Sequence, residues 1–219
     1  MTSSKITKEK IILTVLQAAF EKGSGSASLA DIADNLQIKK ASLYNYFSSR
    51  EIMLEETRKY CDDYLHSVVF FGPALQKSAK DKEDIKTLLL EAVADYFYTF
   101  EKEPLFQIYT FLESEKYFSI ETASIESTQY QRLKSQSSNL LRFIISYGWL
   151  PSLTLGQLDI FSNFIASIIK SNLDLHLMKR KEIIMTSPGA LFENPIKDNS
   201  YIENTALLIK SFLTLANNK

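Results

Sequence analysis

Lys39, Lys40, Ala41, Ser42, Tyr44, Asn45 and Tyr46 crowd into eight consecutive positions, with Ser28 eleven residues ahead and Arg50 four residues beyond. On a helix turning about 100° per residue, Leu43 and Phe47 point one way and Ala41, Ser42 and Asn45 the other. Tyr44 and Tyr46 flank that outer face, and the two lysines lie at its N-terminal end. Small residues at the centre let a backbone approach a polar, concave surface, and the DNA major groove is wide enough to admit a helix. Ser42 has the hydroxyl to donate or accept at a base edge, Ala41 the methyl to touch thymine, and Lys40 the reach to a guanine edge or a phosphate. The hydroxyls of Tyr44, Tyr46 and Ser28, with the Arg50 guanidinium, suit phosphate oxygens, helped by helix N-terminal dipoles. Taken singly, each lysine or serine is an ordinary solvated residue and Tyr44 an ordinary packing residue. The reading rests on the set.

Periodicity supplies the elements that must position this set. Ile12, Val15, Leu16, Ala19 and Phe20 form one apolar stripe, on a helix that should end at Gly23 in the loop Gly23-Ser24-Gly25-Ser26. Leu29, Ile32, Ala33 and Leu36 repeat the pattern, with Ser28 as the cap and Asp31 in the first turn. A break at Gln37-Ile38 leads into a helix over Lys39–Phe47; Ser48 or Ser49 then caps a fourth helix that should run to about Phe71, where Gly72-Pro73 ends it. Further helices are expected near 84–102, 104–118, 122–147, 155–182 and 201–216, the last two separated by a loop from Ser187-Pro188-Gly189 to Asn199-Ser200. No strand pattern with turn punctuation interrupts them, so the chain reads as all-α.

Composition agrees. Of 219 residues only six are Gly and five Pro, while apolar residues make 45% and charged residues 23%, ordinary values for a helical globular protein. Lys plus Arg is 25 against Asp plus Glu 26, so global charge gives no argument for nucleic acid; residues 1–60 alone hold nine basic and seven acidic side chains, a net of +2. Cys61 is the single cysteine, which rules out an internal disulfide and makes a reducing compartment the default. With only His66 and His176 beside it, a His/Cys zinc site is not expected. The chain opens polar and charged rather than as a signal peptide, and no stretch of about 18 apolar residues suggests a membrane span. No nucleophile triad, P-loop or glycine-rich nucleotide motif is present. The expectation is a soluble, cytoplasmic, non-enzymatic protein without metal, cofactor or membrane.

From Ile11 to Leu54 the sequence resembles the N-terminal domain of the TetR family of transcriptional regulators. The resemblance is carried by Ala18-Ala19-Phe20 and Gly23, by Ser28-Leu29-x-x-Ile32-Ala33, by Ile38-Lys39-Lys40-Ala41-Ser42-Leu43-Tyr44-x-x-Phe47, and by Ser49-Arg50-Glu51-x-x-Leu54. It implies that Lys39–Phe47 is a recognition helix and that Ser28, Lys39, Lys40, Ser42, Tyr44, Tyr46 and Arg50 match positions through which the family contacts DNA. It also implies a homodimer on a near-palindromic double-stranded operator, and a helical C-terminal domain that binds a small-molecule inducer. The expected division is a helix-turn-helix DNA-binding domain over residues 1–50 and a helical-bundle ligand-binding and dimerisation domain over 51–219. The sequence departs from the family pattern at Gln37, where a turn glycine is usual, at Lys39, where a small cap is usual, and at Tyr46, where histidine is commoner. Gln37 must therefore accept a glycine's turn geometry.

The C-terminal 165 residues are less explicit. Tyr96, Phe100, Tyr109 and Phe111, joined downstream by Phe143, Tyr147 and Phe164, suit an ordinary bundle core first, and are also dense enough to line an apolar ligand pocket. Phe161, Ile165 and Ile168, with Ile202, Ile209 and Phe212, give the last two helices an apolar face. That face either packs within the chain or pairs with its copy in a second chain, where the resemblance places the family's dimer interface. Beside a ligand-released repressor stands one alternative of another class, an all-helical small-molecule-binding or interaction protein without operator binding.

Overall fold

The computed structural model describes residues 6–25, 27–78, 84–187 and 198–217. Their regular structure is helical throughout: α1 (Lys8–Lys22), α2 (Leu29–Asn35), α3 (Lys40–Leu43), α4 (Arg50–Leu65), α5 (Pro73–Ser78), α6 (Ile85–Phe100), α7 (Leu105–Glu115), α8 (Ile120–Ser146), α9 (Leu155–Thr186) and α10 (Ser200–Asn217). Most of the expected loop from Ser187-Pro188-Gly189 to Asn199-Ser200, and Ser26 of the first loop, lie outside the described residues.

The chain divides into two compact units, one formed by Met1–Val68 with Lys102–Thr128, the other by Val69–Glu101 with Gln129–Lys219. In the first, α1 buries Ile11, Ile12, Val15, Leu16, Ala18, Ala19 and Phe20, the stripe visible in the sequence. The Phe20 ring meets Phe106 of α7 edge-on at 5.0 Å. Arg58 of α4 joins Glu121 at 2.6 Å, and Lys8 joins Glu56 at 2.6 Å. These partly exposed pairs are worth little individually, about 0–1 kcal/mol; burial of the α1, α2 and α4 stripes holds the unit, at roughly 1.5–3 kcal/mol per fully buried Leu, Ile or Phe.

The fourth helix stops earlier than the sequence pattern suggested, at Leu65 rather than near Phe71. Ser67 turns back on the last turn: its amide and its hydroxyl both donate to the Tyr64 carbonyl, at 3.1 and 2.7 Å. This local serine bond competes with the helical ladder, and the β-branched Val68-Val69 pair follows. Phe70 and Phe71 are then buried outside the helix, before the short α5, which opens with Pro73.

In the second unit α6 buries Leu88, Leu89, Ala92, Val93, Tyr96, Phe97 and Phe100, and α10 turns Ile202, Ala206, Ile209 and Leu213 inward. Tyr98 ties α6 to the start of α10 by donating to Asn199 Oδ1 at 2.7 Å. A buried polar cluster joins α6 to α9: His176 Nε2 lies 2.6 Å from Glu101 Oε1, and Arg180 Nε lies 3.6 Å from Glu101 Oε2. α9 starts with a capping box in which Thr154 accepts from the Gln157 amide and the Gln157 side chain accepts from Thr154 in return.

Candidate nucleic-acid interface

The interface is built from the ends of three short-range devices. At the start of α2, Ser28 Oγ accepts from the Asp31 amide at 3.2 Å and donates to Asp31 Oδ2 at 2.7 Å, while the Ser28 amide donates to the same carboxylate at 2.9 Å. Lys22 also bonds the Asp31 carboxylate. Lys22 first, and Ser28 second, hold the Asp31 carboxyl well below the usual carboxylate range.

At the other end of α2, the Gln37 amide donates to the Asp34 carbonyl at 3.0 Å and the Ile38 amide to the Ala33 carbonyl at 3.0 Å. This pair of bonds requires a left-handed residue between them, and Gln37 supplies it with φ +56°. The geometry that a glycine would take without strain is thus present with glutamine in place. It leaves Ile38 half-buried and starts α3 after Lys39, whose backbone is extended and whose side chain makes no cap bond.

The third device is α3 and the turn after it. Only Lys40–Leu43 is α-helical; Tyr44, Asn45 and Tyr46 continue with amides bonded three residues back, to Ala41, Ser42 and Leu43. The expected helix to Phe47 is therefore a single α-turn that tightens, with Leu43 at 2% and Phe47 at 3% exposure as its two anchors. Ser49 caps α4 by accepting from the Ile52 amide at 3.2 Å.

These anchors leave Lys39, Lys40, Ala41, Tyr44 and Asn45 exposed, together with Ser28, while Ser42, Tyr46 and Arg50 are half-buried. The Tyr46 hydroxyl donates to the Ile6 carbonyl at 3.3 Å, a role the sequence did not suggest: it ties the segment ahead of α1 to the turn after α3. Lys8 stands over the Phe47 ring at 5.2 Å on the same side of the unit. The Ser28 hydroxyl is likewise occupied by its capping box, the arrangement that the Ser-x-x-Asp spacing announced.

The remaining candidates are dispersed. Tyr109 and Phe111 are buried in the first unit. In the second, Tyr96 and Phe100 are buried and meet at 4.9 Å, while Phe143 stacks on the half-exposed Tyr147 at 4.6 Å. Phe164 belongs elsewhere, stacked on Phe212 at 3.9 Å. Of the six residues expected at a dimer interface, Ile165, Ile202 and Ile209 are covered by the chain's own core, at 0–1% exposure, because α9 and α10 spend those positions on packing. Phe161, Ile168 and Phe212 remain partly open, and Ile160, Phe164, Leu207, Leu208 and Leu215 are exposed apolar residues on the same two helices.

Two helices joined by a tight turn, the second presenting a polar, basic face, define a helix-turn-helix protein. Residues 11–57 match the model of a family described as bacterial regulatory proteins, tetR family. Over that N-terminal region the chain is similar to this family. It is 35% identical over 88 residues to the biofilm operon icaADBC HTH-type negative transcriptional regulator IcaR of Staphylococcus aureus, an alignment covering 40% of this chain and 46% of that protein. The chain thus spans about half the length of the curated relatives it matches. Over nearly full length its fold is similar to a TetR-like transcriptional regulator from Rhodococcus (TM-score 0.60, 13% identity, 96% of this chain and 99% of that one). It is also similar to the TetR family regulator PfmR from Thermus thermophilus (TM-score 0.58, 18% identity, 94% and 96%). Among the described residues, no helix is long and apolar enough to cross a membrane.

Proposed function

We propose that this chain is a cytoplasmic transcriptional repressor that binds a near-palindromic operator as a homodimer and is released by a small-molecule ligand. One observation carries the reading: Lys39, Lys40, Ala41, Tyr44 and Asn45 are held outward on a turn whose inward residues, Leu43 and Phe47, are locked in the core. Lys40 and the Tyr44 hydroxyl take phosphate or base-edge contacts, and Ala41 and Ser42 admit the backbone to the groove. Lys39, Asn45, Tyr46, Arg50 and Ser28 complete the footprint, the last two beside helix starts where anions are favoured. Repression, rather than activation, is supported by the negative regulation named for the Staphylococcus aureus relative. The DNA-binding function is assigned to residues 1–50 and the ligand and dimer functions to 51–219.

Dimerisation is assigned to the outer face of α9 and α10 around Phe161, Ile168 and Phe212. Ligand binding is assigned to the second unit, to the aromatic pairs Tyr96 with Phe100 and Phe143 with Tyr147. The test is a fluorescence-anisotropy titration with duplex DNA from upstream of the chain's own gene. Affinity is expected to exceed that for random duplex and to fall steeply with salt, the logarithmic slope being about −0.9 per phosphate neutralised. Equal affinity for random duplex would favour a helical ligand-binding protein that lacks an operator.

A further inference from the structure

The seam between α8 and α9 is closed at one end and open at the other. Tyr130 closes it: its hydroxyl meets Asn163 Oδ1 at 3.0 Å and Ser167 Oγ at 2.7 Å. One turn along, Lys134 Nζ pairs with Asp159 at 2.7 Å. Beyond that pair α8 presents small side chains opposite the leucines at the start of α9, and an open groove of about 390 Å³ appears, within the range of small-molecule sites. Ser135, Ser138 and Arg142 line it from α8, and Leu155, Leu158, Asp159 and the buried Ser162 from α9. Ser162 is occupied, its hydroxyl donating to the Leu158 carbonyl. Ser135, Ser138 and the exposed Arg142 make no side-chain hydrogen bond or ion pair among the described residues.

The unmatched charge in the groove is of one sign. Asp159 neutralises Lys134, which leaves the Arg142 guanidinium as unmatched positive charge at the far end, with two free hydroxyls between. A guanidinium offers a planar fork of donors that matches a carboxylate or phosphate bidentately. The serines and the Asp159 carboxylate supply the complement for ligand hydroxyls. We propose that this groove binds a small polyhydroxylated anion, a sugar acid or a polyol phosphate, with its anionic group on Arg142 and its hydroxyls along Ser138, Ser135 and Asp159. The site is distinct from the aromatic pairs assigned above, and its occupancy does not depend on operator binding.

The test is isothermal titration calorimetry of the full-length chain, without DNA, using D-gluconate and glycerol 3-phosphate as probes and D-glucose as the uncharged control. Saturable binding of either probe, with none of glucose, is expected, and the probe that binds identifies the anionic group. Arg142→Gln, at an exposed and unpaired position, should weaken that binding about tenfold or more by removing a charge-assisted contact. Ser138→Leu, which fills the groove without touching the charge, should abolish it, while Arg132→Gln outside the groove should leave it unchanged. Failure of both probes to bind, or binding undiminished in Arg142→Gln and Ser138→Leu, would overturn the proposal. Because no DNA is present, either result is independent of whether the chain recognises an operator.

Discussion

Gln37 sits at φ +56°, a region that costs an L-residue about 1–2 kcal/mol. Glycine would remove that cost but forfeit about 0.5–1 kcal/mol of extra chain entropy. Gln37→Gly should therefore stabilise the first unit by about 0.5 kcal/mol, whereas Gln37→Val, β-branched at a left-handed position, should destabilise it by about 1 kcal/mol or more; urea denaturation followed by circular dichroism separates the two. Asp31 makes a second prediction. Its folded carboxyl lies below the unfolded value near 3.8, so its contribution to stability is complete above the ordinary carboxylate range and is lost as pH falls through and below it. The stability gap between the wild type and Asp31→Asn should stay constant from neutral pH down to about pH 5 and narrow by about pH 3. All three residues were legible in the sequence, Ser28 and Asp31 from the capping spacing and Gln37 from the missing glycine. The Tyr46 bond to the Ile6 carbonyl was not, because nothing in local spacing records a contact 40 residues away.

Helix by helix, apolar periodicity located α1, α2, α6, α8, α9 and α10 to within a few residues, since each buries a 3.6-residue stripe. It failed where local bonds overrule the stripe, as at Ser67 after α4 and in the tightened turn after α3. It also could not tell which side of an apolar helix faces the chain's own core. The structure separates Ile209, at 0% exposure, from Phe212, which is half-buried against Phe161 and Phe164. That difference predicts two distinct failures. Ile209→Ala should cost about 2–5 kcal/mol of stability through a core cavity while the folded fraction keeps its oligomeric mass. Phe212→Glu should keep its helical content but shift light scattering from dimer to monomer mass, or to aggregates. A Phe212→Glu protein of dimer mass would remove this face from the interface.

For the whole molecule, near-zero net charge means that the proposed DNA affinity must come from placement rather than from bulk electrostatics. The sequence carried the proposed recognition segment because its anchors, Leu43 and Phe47, and its outward residues share one short periodic stretch. The α8–α9 groove was not legible, because it is assembled from positions 131–162 whose serines and arginine look like any solvated face until two helices are set side by side. The central claim is that the Lys39–Asn45 face reads DNA, and the most direct measurement is an anisotropy titration of Lys40→Ala and Tyr44→Phe against the upstream duplex, with melting curves in parallel. Because both side chains are exposed, the account predicts unchanged melting, operator affinity reduced about tenfold for each variant, and a salt slope shallower by about one for Lys40→Ala. Isotherms that superimpose on the wild type for both variants would contradict it.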